Sequence, residues 1–404
     1  MRFPAFRSRN FRIYEGGSLF SVNGQWINRV VIGWVGWELT GSATWVGLLS
    51  FFLFAPTVIS SPLYGVLLDR VRLQPVALMS HGIVTAASLV LYLLYLGDIL
   101  TIWGLSAVAL VIGFAGSADR AVRVTIVPRM VERDALPNAV AIHAANFNIA
   151  RMIGPAIGGT LIETAGTDTT MLINIIVFLP YLAAILILRL GEKKRSAALR
   201  QHFFVELWDG ARYAATHPII REAMLLTCIT SLSVRGVNEI VPAIADGVYQ
   251  RGAEGLGQML SAGGAGALIA ALMVAVRPSR AWAEGIPTIA HVAIFLGLGA
   301  VFVLGIAGNW YLAVACVTVT GFCGTMIGIN MQSSIQLTVD DTYRGRVMSL
   351  WMVVGLGTSA LGALMLGSLT DLFGLSSTLV SAASIGAAVV IAARIALARL
   401  ARRQ

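Results

Sequence analysis

From residue 13 to residue 395 the chain passes through one apolar run of membrane-crossing length after another, with short polar turns between them. About 20 apolar residues in a helix cover a hydrocarbon core of roughly 30 Å, and a helix satisfies its own backbone hydrogen bonds where no water is present. Twelve such runs fall near 13–38, 44–68, 74–97, 99–119, 138–163, 169–189, 220–245, 255–276, 286–307, 310–333, 346–370 and 374–395. Only 12% of the residues are charged and 57% are apolar, against about 25% charge in a soluble protein. Soluble enzymes, disordered chains and secreted disulfide scaffolds therefore fit poorly. Cys228, Cys316 and Cys323 lie inside apolar runs and read as packing residues.

The net charge of +9 arrives in bursts between the runs, which points to a membrane surface rather than nucleic acid. If the N-terminus is cytoplasmic, all but four of the 29 Lys and Arg fall on its side of the bilayer. Arg29, Arg151 and Arg235 lie within spans and only Arg251 falls in an external loop. This asymmetry predicts an all-α, multi-pass membrane protein with twelve helices and both termini cytoplasmic. The first span holds Glu15, Asn23, Gln25, Asn28 and Arg29 and lacks a cleavage pattern, so it reads as a retained helix rather than a signal peptide.

Residues 137–166 can be laid over 345–374 at an offset of 208, pairing Gly159 with Gly367, Glu163 with Asp371 and Gly166 with Gly374. Gly47 and Arg72 meet Gly255 and Arg280 at the same offset. A duplicated six-helix unit accounts for this. The expected domains are residues 1–190, a cytoplasmic linker at 191–217, and 218–404. In the linker, Leu199, Phe203, Phe204, Leu207, Trp208, Ala211 and Tyr213 recur at helical spacing, as in an amphipathic helix at the inner headgroup layer.

After span two comes Gly65-Val66-Leu67-Leu68-Asp69-Arg70-Val71-Arg72. An acidic residue at a helix end beside arginines makes a short charged latch, with Asp69 facing a helix N-terminus and Arg70 and Arg72 meeting carboxylates or lipid phosphates. Span five carries Arg151-Met152-Ile153-Gly154-Pro155-Ala156-Ile157-Gly158-Gly159. Gly154 and Gly158 present a small face for close helix approach, and Pro155 removes a backbone bond. The first segment resembles the loop signature of the major facilitator superfamily, and the second its antiporter motif. Val71-Arg72-Leu73 departs from the superfamily's Gly and doubled basic ending. Asp134 to Ala141, Asn146 to Arg151, Asp209 to Tyr213 and Arg344 to Val347 resemble the branch of the enterobactin exporter and related secretion effectors. The resemblance implies a secondary transporter moving a small molecule outward against inward proton flow, with the fifth helix sealing the cavity against leak.

Ionisable groups inside a span need a partner or a task. In span seven Arg235 and Glu239 stand at i and i+4, so a continuous helix lets them pair, with Asn238 beside them. A carboxylate in such a place can take up and release a proton as its surroundings change. Glu239, Arg235 and Asp119 are the proton-coupling candidates, against the alternative of a static ion pair. Asn23, Trp26, Arg29, Arg123, Asn238, Asn330 and Gln332 are candidates for lining the substrate cavity. Arg29 and Arg151 could instead pair with Glu15 and Asp119, and Asp119 and Arg120 could equally lie in an inner loop. The five histidines lack metal-ligand spacing, and His81 or His291 reads as a polar residue at a helix end. Gly263-Gly264-Ala265-Gly266 imitates a nucleotide loop but follows no strand, so close helix packing is the sounder interpretation.

The function expected is proton-coupled export of a small amphipathic or siderophore-like molecule by a monomer, without cofactor, metal, enzymatic activity or nucleic acid. A lipid or lysolipid flippase is the alternative within transport. A membrane sensor or assembly partner that moves nothing is the alternative outside it.

Overall fold

A computed structural model of the chain describes residues 4–188, 203–276, 285–340 and 342–401. The first six spans are α1 (Arg9–Thr40), α2 (Ala43–Arg70), α3 (Leu73–Leu96), α4 (Ile102–Ile126), α5 (Leu136–Ala165) and α6 (Thr167–Ile187). The linker contributes α7 (Phe203–Thr216), and α8 (Pro218–Thr230) opens span seven. Spans eight to twelve are α9 (Gly252–Ala275), α10 (Thr288–Ile306), α11 (Trp310–Thr338), α12 (Arg344–Phe373) and α13 (Leu375–Ala401). The fold is all-α, with a helical segment at each of the twelve predicted spans. Among the described residues nine helices are long and apolar enough to cross a membrane on composition alone. Spans one, five and seven fall outside that group, and these are the spans holding Arg29, Arg151 and Arg235.

Two corrections follow from the helix limits. Helix α4 runs past Asp119 and Arg120 to Ile126, so neither residue is in a loop. Span seven is not one continuous helix. After α8 it widens into a π-helical turn at Ser231–Arg235, turns at residues 238–239, and continues as a second π segment, Ala243–Val248. Pro242 supplies no amide hydrogen to a helix in this stretch, which fits the break. The regular i to i+4 spacing expected of Arg235 and Glu239 does not hold across it.

The chain forms two compact units. One comprises Met1–Gly41, Phe52–Ala198 and Arg251–Ser261, the other Ser42–Phe51, Leu199–Gln250 and Ala262–Gln404. In the first, α1 packs on α5 and α6, and α3 on α4 and α6. In the second, α10 packs on α11 and α13, and α12 on α7 and the π segment at 231–235.

The duplication is visible in the helix ends. Helices α5 and α12 cover Leu136–Ala165 and Arg344–Phe373, both shifted by 208, and each ends at a glycine of positive φ, Gly166 at +89° and Gly374 at +80°. Thr101 and Asn309 cap α4 and α11, accepting from the amides of Gly104 (3.2 Å) and Leu312 (2.8 Å). Two residues on, Trp103 and Tyr311 are largely exposed, as suits amphipathic rings at a headgroup layer.

One cap comes from another helix. The Asp371 carboxylate on α12 accepts from Ser42 Oγ (2.5 Å) and from the amides of Ala43 and Thr44 (2.9 Å each), so it closes the N-terminus of α2. Asp371→Ala is expected to remove about 1–2 kcal/mol of stability, and Asp371→Asn less because it keeps an acceptor. Thermal unfolding of the two variants in detergent checks the order.

Candidate functional site

In the N-terminal unit the polar groups of four helices converge. Asp119, 1% exposed on α4, accepts through Oδ2 from Arg123 Nε (2.7 Å), one turn along the same helix, and from Gln25 Nε2 of α1 (3.0 Å). Arg123 also donates Nη1 to Ser18 Oγ (3.0 Å) and Nη2 to Ser21 Oγ (2.7 Å), and its guanidinium lies 4.0 Å from the centre of the Tyr181 ring of α6. A buried ion pair is tolerable when its remaining donors and acceptors are filled in this way. His81 of α3 completes the group. Its Nε2 lies 3.4 Å from Ser21 Oγ, and its Nδ1 faces Asp119 Oδ1 across 3.8 Å. Among the described residues neither of those two facing atoms has a hydrogen-bond partner. His81 is fully buried between the rings of Phe178 and Tyr181, which corrects its assignment to a helix end.

The carboxylates suggested for Arg29 and Arg151 have other partners. Asp119 holds Arg123 and Gln25, while Glu15 accepts from Asn146 Nδ2 (2.7 Å) and lies 3.1 Å from His143 Nδ1. Arg29 stacks between rings, 5.2 Å from the centre of Trp26 and 5.0 Å from that of Phe54. Phe147 of α5 meets Trp26 edge-on at 6.1 Å. Asn23 bonds its own helix, donating to the Leu19 carbonyl at 2.8 Å.

In the C-terminal unit the π turn directs Arg235 at α11, where Nη2 donates to the Gly324 carbonyl (2.9 Å) and approaches Gly328. Widened turns of this kind frequently mark functional sites. Asn238 and Glu239 follow in the break, with Glu239 only 9% exposed. Asn330 is buried on α11 and donates to the Met326 carbonyl (2.7 Å), and Gln332 is half-buried two residues on. His291 of α10 lies 3.0 Å from Glu222 of α8.

The glycines of span five have distinct jobs. Gly154 meets Trp26, and Gly158 meets Ile27 and Val30, so this face seats α1. Gly159 meets Ala253 and Gly257 of α9. The Gly263 stretch packs closely too: a Cβ at Gly321 of α11 would fall on the Gly263 carbonyl. In the charged segment after span two, helix α2 ends at Arg70 and Arg72 is the exposed residue before α3. Gly65 lies within α2, and the side chains of Asp69 and Arg70 lie outside the described set.

Helix α7 is docked. Tyr213 stacks on Tyr343 at 4.4 Å and donates to Asp340 (3.0 Å), and Asp209 lies 3.2 Å from Arg346. Trp208 remains mostly exposed, a ring suited to the headgroup layer. Ser18, Ser21, His81, Tyr181 and Phe54 escaped sequence reasoning because their roles depend on which helices meet. Their only local signal, which Phe54 lacks, is a polar group within a span. Among the described residues no group of three or more His, Cys, Asp or Glu converges as a metal site.

The sequence profile of the family described as transmembrane secretion effector matches residues 2–403. The chain is 24% identical over 362 residues to the staphyloferrin A transporter of Staphylococcus aureus, covering 88% of each. It is 25% identical over 331 residues to the enterobactin exporter EntS of Escherichia coli, covering 82% of this chain and 75% of that one. Among solved structures, a POT family transporter with 5-aminolevulinic acid bound superimposes with a TM-score of 0.73 at 12% identity, covering 96% of both chains. The nucleoside transporter NupG gives the same score at 14% identity, covering 96% of this chain and 99% of that one.

Proposed function

The chain belongs to the transmembrane secretion effector family of the major facilitator superfamily, a family of transporters rather than enzymes, and on that premise we propose that it exports a siderophore-like small molecule in exchange for protons. The two six-helix halves, residues 1–190 and 218–404, open the substrate path alternately to the two sides of the inner membrane. The linker and both termini stay in the cytoplasm, and one monomer suffices.

The observation that carries this reading is the buried pair of His81 Nδ1 and Asp119 Oδ1. They face each other at 3.8 Å beside Arg123. A proton held by either atom could bridge them, and its loss would leave Asp119 to Arg123 and Gln25 alone. That is a two-state element of the kind transport coupling needs. Glu239, at the break in span seven beside Arg235, is the second coupling group in this reading.

The test uses proteoliposomes with a pH gradient, offering enterobactin and staphyloferrin A as substrates. In Glu239→Gln and Asp119→Asn, gradient-driven flux is expected to fall by about tenfold or more, the loss of about 1.4 kcal/mol of coupling, while substrate exchange without a gradient persists. Coupling that survives both substitutions eliminates the proton-exchange reading.

A further inference from the structure

The side chain of Arg235 rests on a floor of glycine. The π turn at Ser231–Arg235 carries it across to the middle of α11. There its Cγ and Nε lie 3.6 and 3.8 Å from the place a Cβ would take at Gly324, and its Nη2 lies 2.5 Å from that place at Gly328. Among the described residues no other group of another helix comes within 4 Å of either position, so the arginine alone covers α11 at this level. One turn earlier the same face is packed shut, since a Cβ at Gly321 would fall on the Gly263 carbonyl of α9. Glycine at 324 and 328 therefore serves the guanidinium rather than a helix contact.

Arg235 uses one of its five N–H donors on the protein, Nη2 donating to the Gly324 carbonyl at 2.9 Å. Arg123 shows the contrast: Asp119, Ser18 and Ser21 fill its donors. No carboxylate among the described residues pairs with Arg235, while Arg235 and Gly328 both keep part of their surface open. A positive charge at this depth is expensive without an anion or water to answer it. Resting on the export reading above, we propose that Arg235, seated on Gly324 and Gly328, is an anion subsite that takes a carboxylate of the transported molecule as its counter-ion. Anchored at Nη2, the guanidinium presents its remaining donors in one plane, as a fork that matches two carboxylate oxygens. The arginine comes from span seven and its seat from α11, so a bound carboxylate draws on both helices at once.

The experiment is equilibrium dialysis of radiolabelled succinate against the full chain in phosphatidylcholine nanodiscs, with succinamide as the neutral counterpart and glycerol 1-phosphate as a lipid headgroup. Succinate is expected to bind about tenfold or more tightly than succinamide. Arg235→Gln is expected to lose that factor, and Arg235→Lys to recover only part of it, because an ammonium carries the charge without the fork. Gly328→Ala keeps the arginine but displaces its tip, and is expected to weaken succinate binding several-fold at unchanged melting temperature. Equal binding of succinate and succinamide, no succinate binding at all, or full affinity in both Arg235→Gln and Gly328→Ala overturns the subsite. Tighter binding of glycerol 1-phosphate than of succinate overturns it too, by assigning the arginine to lipid. If the Arg235 variants fail to fold, the ligand comparison on the unaltered chain and Gly328→Ala decide. Export stands or falls separately. Succinate binding by a protein that moves no substrate in proteoliposomes would defeat export and leave the subsite. Undiminished flux of both trial siderophores in Arg235→Gln would defeat the subsite and leave export.

Discussion

Arg123→Gln is expected to destabilise the protein by about 3–5 kcal/mol, the usual penalty when one partner of a buried ion pair is removed. The guanidinium fills several needs at once. It neutralises Asp119 at 2.7 Å, satisfies Ser18 and Ser21, and lies against the face of Tyr181. Without it Asp119 keeps only Gln25 in an environment 1% open to solvent. The control is the double variant Asp119→Asn, Arg123→Gln, which removes the charge along with its partner and is expected to recover most of the loss. Thermal unfolding followed by tryptophan fluorescence distinguishes the cases. A double variant as unstable as the single one would locate the penalty in packing on Tyr181 rather than in the stranded charge.

Gly159→Leu is the second large effect. A Cβ at Gly159 would stand 2.5 Å from the Ala253 carbonyl oxygen and 2.7 Å from Gly257 Cα, and backbone atoms cannot step aside as a side chain can. Overpacking of this kind costs about 1–3 kcal/mol where it is absorbed at all, and here it forces α5 and α9 apart. Export is expected to be lost while the protein still reaches the membrane. The adjacent Gly158→Ala places its Cβ 3.4 Å from Ile27 Cα and Val30 Cβ, at the edge of ordinary contact, so that variant is expected to keep most activity. Efflux from cells at matched expression compares the two. Similar loss in both would mean that the whole motif, rather than the single close approach, bears the function.

The contrast between these neighbours shows what the sequence could and could not reveal. Long apolar runs with the basic residues clustered between them made the twelve helical segments legible, because the bilayer imposes both patterns directly. The small face at Gly154 and Gly158 was legible as a site of close approach, but not that α1 fills it or that Gly159 turns to α9. Asp119 and Arg123 stand at i and i+4 and could have been paired from spacing alone, whereas His81 joins them only because α3 packs against α4. The break in span seven misled a spacing argument at Arg235 and Glu239. Gly236 and Pro242 were its only local signals, and a widened turn leaves no periodic trace in so short a stretch. Phe54 gave no signal at all, since a phenylalanine in an apolar run is indistinguishable from a lipid-facing one until α1 brings Arg29 over it.

The division of the chain into units has a bearing on biosynthesis. Residues 42–51 belong with the later half, and residues 251–261 belong with the earlier one. A ribosome that has delivered the first six helices has therefore released a bundle still missing one strip of its own packing surface, with another strip waiting for a mate not yet translated. Insertion can proceed helix by helix, but the earlier bundle lacks residues 251–261 of its packing until α9 emerges, and the later one stays incomplete until α13 does.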